Sequence, residues 1–140
     1  MLDKKAFTLI ELLVVIALIG ILSAIGIVAF TGTSDSAAQK AAENTLQSMA
    51  LAQLEYRSNN QVYYSQSGVT GSASCSAATT SAVNTNLFGG TQTSNLEKQK
   101  YNFCSIADTR GTSFTNYAKH KTLPCSISLT EKNVLTPNSC

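Results

Sequence analysis

The stretch Lys4-Lys5-Ala6-Phe7-Thr8-Leu9-Ile10-Glu11-Leu12-Leu13-Val14-Val15-Ile16-Ala17-Leu18-Ile19-Gly20-Ile21-Leu22-Ser23-Ala24-Ile25-Gly26-Ile27-Val28-Ala29-Phe30 decides how the chain is organised. Nineteen consecutive residues, Leu12 to Phe30, carry no charge. As a helix rising about 1.5 Å per residue they cover about 28 Å, close to the roughly 30 Å of a bilayer's hydrocarbon core. Lys4 and Lys5 precede the run and no charge follows until Asp35. That asymmetry places the N-terminus in the cytoplasm and everything after Thr31 outside. Glu11 interrupts the start of the run. A carboxylate at the centre of a membrane helix costs about 2.5–3.5 kcal/mol, and less near an end, so it calls for a partner. The obvious one is a positive charge brought by another copy of the chain.

Two plainer readings compete. A cleaved secretory signal has an apolar stretch of roughly 7–15 residues followed by a small-residue cleavage site. This run is longer, and residues 31–38 match an Ala-x-Ala site only weakly. A single-pass anchor with its glutamate at headgroup level leaves the particular residues around Glu11 without a reason.

Those residues, Lys-Lys-Ala-Phe-Thr-Leu-Ile-Glu-Leu-Leu-Val-Val-Ile over 4–16 and the apolar run to Phe30, closely resemble the N-terminal signature of type IV pilins and pseudopilins. The resemblance implies a cytoplasmic leader over residues 1–6, cut between Ala6 and Phe7 by a prepilin peptidase, with N-methylation of the Phe7 amine. It implies that Glu11 pairs with the Phe7 amine of a neighbouring subunit. Residues 7–30 then form a transmembrane helix that becomes the filament core, and 31–140 a periplasmic or extracellular pilin head. The expected localisation is the inner membrane of a bacterium before assembly and the extracellular pilus, or fimbrium, afterwards. The expected partners are the chain itself as a helical homopolymer, the inner membrane, the prepilin peptidase and assembly machinery, and DNA or a host or abiotic surface. Two positions depart from the family pattern. Ala6 stands where Gly is usual, which implies slower cleavage, and Val28 stands where many members have Pro, so no proline kink is expected.

All four cysteines, Cys75, Cys104, Cys125 and Cys140, lie in the exported part. An even count in an oxidising compartment reads as two disulfides. Their spacing contains no Cys-x-x-Cys pair, and one histidine is a poor complement for zinc, so neither metal nor cofactor is expected. Three pairings are open. The C-terminal disulfide-bounded loop common in pilins implies Cys125–Cys140, with Cys75–Cys104 favoured beside it.

Periodicity gives the remaining elements. Ser34 to Asn59 reads as an amphipathic helix capped by Ser34 or Asp35, continuous with the anchor, with Gly32 as the place for a bend. Ala38, Ala42, Leu46, Met49, Ala50 and Leu54 form its core stripe. Ser65 to Asn95, rich in Ser, Thr, Ala, Gly and Asn, reads as a long surface loop with a Gly89-Gly90 turn, pinned by Leu87-Phe88. Three short strands follow, around Tyr101 and Phe103, over Phe114 to Ala118, and around Ile127 and Leu129, the first two joined by the Asp108-Thr109-Arg110-Gly111 turn. The expected fold is α+β: a long N-terminal helix, hydrophobic then amphipathic, packed on a small antiparallel sheet.

No catalytic constellation is present, so the chain is not expected to be an enzyme. His120 sits between Lys119 and Lys121 with no activating acid and reads as a surface residue. No phosphate-binding Gly-rich loop, His-Glu-x-x-His pattern or acidic calcium loop occurs. Secretion pseudopilins typically have a calcium site and no head disulfide, so the pattern favours a pilus subunit for adhesion, twitching motility or DNA uptake. The alternatives are a DNA-binding or adhesive minor pilin and a type II secretion pseudopilin. Lys98, Lys100, Arg110, Lys119, Lys121 and Lys132 are the candidate DNA contacts, should they converge, although the whole chain carries only +2.

Overall fold

A computed structural model describes residues 7–90 and 93–140, with side chains over 7–24, 33–90 and 95–140. The chain divides into two compact units, 1–37 and 38–140. The elements in order are helix α1 (Leu9–Asn60), a 3-10 turn (Ser72–Ser74), α2 (Ala77–Leu87), α3 (Thr93–Lys98), and strands β1 (Tyr101–Ala107), β2 (Phe114–His120), β3 (Ser126–Thr130) and β4 (Leu135–Asn138). The fold is α+β.

Helix α1 runs without interruption through Gly32, Ser34 and Asp35. The cap expected at Ser34 or Asp35 is therefore absent, because the helix begins at Leu9 and both residues lie inside it. The first unit contains its apolar part. Val and Ile are modest helix formers in water, but apolar surroundings leave the backbone no partner except itself, which makes a helix the only unstrained choice.

In the second unit four strands form a meander in the order β1-β2-β3-β4, every neighbouring pair antiparallel. Three were expected. The fourth was obscured by Pro137, which cannot donate to a ladder and is tolerated because β4 lies at the edge. Ala42, Leu46 and Met49 of α1 pack with Val83, Tyr101, Phe103, Ala118, Ile127 and Leu129 in one core, with Leu87 and Phe88 against it. Burying each large side chain contributes about 1.5–3 kcal/mol.

The stripe on α1 ends differently from the expectation. Leu54 is 53% exposed, whereas Gln53 is fully buried. Its carboxamide donates to Tyr64 O at 2.9 Å and Ser105 Oγ at 2.7 Å, and accepts from Tyr64 N at 2.8 Å. Ser105 Oγ in turn donates to Asn116 Oδ1 at 2.7 Å. A leucine there would leave a buried peptide group without partners, so the polar residue takes the inward position.

Residues 65–95 are not a structureless loop. Ser76 and Thr79 close a reciprocal capping box that starts α2, and Thr80, Val83 and Asn84 are buried. The hydroxyls have a further role at the open edge of β1. Phe103 N donates to Thr80 Oγ1 at 2.8 Å, Thr79 Oγ1 donates to Phe103 O at 2.9 Å, and Ala107 N donates to Ser65 Oγ at 3.1 Å. Gln66 takes both backbone groups of Ser105. The Ser/Thr-rich composition thus covers a sheet edge that would otherwise recruit foreign strands.

His120 is also misplaced by sequence reasoning: only 6% exposed, it ends the inner face of β2. Its Nδ1 accepts from Thr122 N at 3.2 Å and Leu123 N at 2.9 Å, fixing the β2–β3 turn. The β1–β2 turn has Gly111 at φ +65°, and the Asp108 carboxylate accepts from Thr112 N, Thr112 Oγ1 and Ser113 N.

Candidate assembly site and head surface

The N-terminus of α1 carries a capping box. Thr8 N and Thr8 Oγ1 donate to Glu11 Oε2 at 2.9 and 2.8 Å, while Glu11 N donates to Thr8 Oγ1 at 3.4 Å. Both donors converge on one carboxylate oxygen. Glu11 Oε1 accepts no hydrogen bond from any described residue. The carboxylate also lies beside the first free N–H groups of the helix, where negative charge is favoured. The sequence held this signal, Thr8-x-x-Glu11 ahead of an apolar run, and reasoning from charge alone passed over it.

Around the box and along the helix after it, large apolar side chains are exposed. Phe7 is 81% exposed, Leu9 88%, Ile16 61% and Leu22 69%. Such a surface is stable only when something apolar covers it. Among the described residues no helix is long and apolar enough to cross a membrane. The described side chains of this run end at Ala24, and the later part of the nineteen-residue stretch, 25–30, lies outside them, as do Lys4, Lys5 and Ala6.

Two disulfides tie the head. Cys75–Cys104, with Cα atoms 5.1 Å apart, fastens the segment around Val69 over the outer face of the sheet, against Ile106 and Tyr117. Cys125–Cys140, with Cα atoms 4.5 Å apart, ties the end of β4 to the start of β3. No three metal-ligating side chains converge among the described residues.

The six basic residues divide between the two ends of the sheet. Lys98, Lys100, Lys119 and Lys121 gather where β1 begins and β2 ends, as the Lys121 N to Lys100 O bond and the Asn102–Lys119 register show. Arg110 and Lys132 lie in the turns at the opposite end. There Asp108 and Glu131 balance them, whereas the four lysines face only Glu97 in sequence. Of these, Lys119 Nζ donates to Leu123 O and Pro124 O, and Lys121 Nζ to Glu97 O.

Comparison with curated proteins and with solved structures gave no match. Residues 1–27 match the family model described as the prokaryotic N-terminal methylation motif, and the head lies outside that match. With its capped helix start and uncovered apolar surface inside the matched segment, the chain carries the N-terminal signature of type IV pilins and pseudopilins.

Proposed function

We propose that the chain is the structural subunit of a type IV pilus filament, cut between Ala6 and Phe7, methylated at Phe7 and polymerised through residues 7–30. The observation that carries this reading is the divided carboxylate of Glu11. Oε2 is held by Thr8 of the same chain, and Oε1 is left for the ammonium group of a neighbour's Phe7. In poorly hydrated surroundings that pair attracts far more strongly than in water, and either charge alone would be costly. The membrane and then the other helices of the filament cover the exposed apolar surface in turn. The head, with two disulfides, favours a pilus over a secretion pseudopilin, and its work is mechanical: adhesion, twitching motility or DNA uptake. Deleting the chain from its host should remove surface filaments seen by electron microscopy, and restoring it should return them. Undiminished filaments in the deletion strain would overturn the proposal.

A second reading, contact with DNA, is supported by the gathering of Lys98, Lys100, Lys119 and Lys121 at one end of the sheet. In this reading Arg110 and Lys132, at the other end, play no part. Four phosphate contacts would give duplex binding a slope in log salt of about −3 to −4. Cosedimentation of sheared filaments with duplex DNA at two salt concentrations tests it, and binding indifferent to salt would sink it.

A further inference from the structure

The head has a rigid apolar knob at one end and an apolar groove at the other. The knob is Leu123, at the tip of the β2–β3 turn and 44% exposed. Every side of its backbone is held: Leu123 N donates to His120 Nδ1, and Lys119 Nζ donates to Leu123 O and Pro124 O. Lys98, Lys100, Lys119 and Lys121 lie at this end of the sheet. The buried imidazole of His120, which no catalytic constellation uses, finds its role in holding the knob.

The groove, about 380 Å³, is lined by Ala50, Leu51 and Leu54 of α1, Phe114 of β2 and Glu131 of the β3–β4 turn. Leu51 is 69% and Leu54 53% exposed, so the apolar ridge of the helix lacks a cover. On its other side a second groove is lined by Glu55, Leu87 and Phe88. Neither Glu55 nor Glu131 forms an ion pair among the described residues. One acid thus lines the groove on each side of the ridge, Glu131 with Lys132 next to it in the turn, and bases lie at the knob end.

Knob and groove lie at opposite ends of β2, separated by about 20 Å for seven residues at roughly 3.3 Å each. The direction also follows α1. Gln99, next to the lysine cluster, bonds Thr45, and Ser105, further along β1, bonds Gln53. The basic end thus sits toward residue 45 of α1 and the groove toward residue 54.

From this we infer that the head is a head-to-tail docking unit whose partner is a second copy of the chain: Leu123 of one copy enters the Leu51–Leu54 groove of the next, and its lysines face Glu131 and Glu55. Two different, complementary patches on one molecule make a heterologous contact, which propagates into an open filament and does not close into a dimer. Holding the knob rigid before contact reduces the entropy lost on docking. The charges set register and rate of encounter, and the leucine supplies the burial. The inference rests on the filament reading and adds to it a contact between the head of one copy and the head of the next.

The test uses the full chain with a photo-crosslinking amino acid at position 123, in filaments sheared from cells. The expected product is a covalent dimer in which position 123 is joined to another copy within residues 47–54, at 114 or within 130–133. In the same background Glu131→Lys should lower the dimer yield at least five-fold with both disulfides still formed. Filaments that contain the chain but give no link, a link elsewhere, or a yield insensitive to Glu131→Lys overturn the inference and leave the filament reading standing. Absence of the chain from the filaments overturns both.

Discussion

Thr8 and Glu11 hold each other across the first turn of α1, with both donors of Thr8 on Glu11 Oε2 and no described residue donating to Oε1. The carboxylate that looks like an energetic liability in an apolar run has a role within the chain, and the proposed pairing with a neighbour's amine would give it a second. The box starts the helix, and in the proposed filament Oε1 meets a neighbour's amine.

These roles can be separated. Glu11→Gln keeps an acceptor suited to the capping box but removes the charge. Thr8→Val keeps the charge and the backbone bond to Glu11 but removes the hydroxyl part of the box, a loss of about 1 kcal/mol of helix start. Glu11→Gln is expected to insert into membranes normally and to lose most sheared filament. Thr8→Val should retain filaments while amide exchange over residues 9–12 quickens. Equal filament yield from Glu11→Gln and the parent chain would remove the charge-pairing role.

Gln53→Leu tests the buried polar node. It leaves the Tyr64 N–H and C=O without their carboxamide partner and removes the donor to Ser105 Oγ, and each buried group left unmet costs about 1–3 kcal/mol. The head should lose roughly 2–4 kcal/mol in denaturant unfolding. A neutral substitution would mean the node adds nothing to stability.

Hydrogen bonds from the Thr112 side chain, and then from the backbone of Ser113 and Thr112 with help from Arg110, hold the Asp108 carboxyl below its ordinary value of 3.8. A folded-state value that is depressed contributes stability that is fully present above the ordinary value and is lost as pH falls below it. Acid unfolding of the parent chain should therefore steepen below about pH 3.8, and Asp108→Asn should flatten that limb. An acid limb unchanged by Asp108→Asn would contradict the linkage.

The sequence was legible where one physical cause dominated. The apolar run, the α+β order and the β1–β2 turn at Gly111 came from hydropathy, period and φ preference. The misreadings share a cause: polar residues that serve the interior. Gln53 replaced Leu54 in the core because Tyr64 and Ser105 needed a carboxamide. Thr79 and Thr80 looked like loop residues because their partner, the edge of β1, is distant in sequence. His120 looked exposed between two lysines because alternation along β2 turns both neighbours outward. Such pairings are set by tertiary contact, and a one-dimensional pattern does not contain them. At the candidate site the acid was evident and the Thr8 box was missed, although its spacing was plain.

The N-terminal peptide of the chain in isolated filaments tests the central claim most directly. Mass spectrometry should find it beginning at Phe7, with a methyl group on the amine, in an abundant filament band. A filament chain that still begins at Met1 would contradict the account.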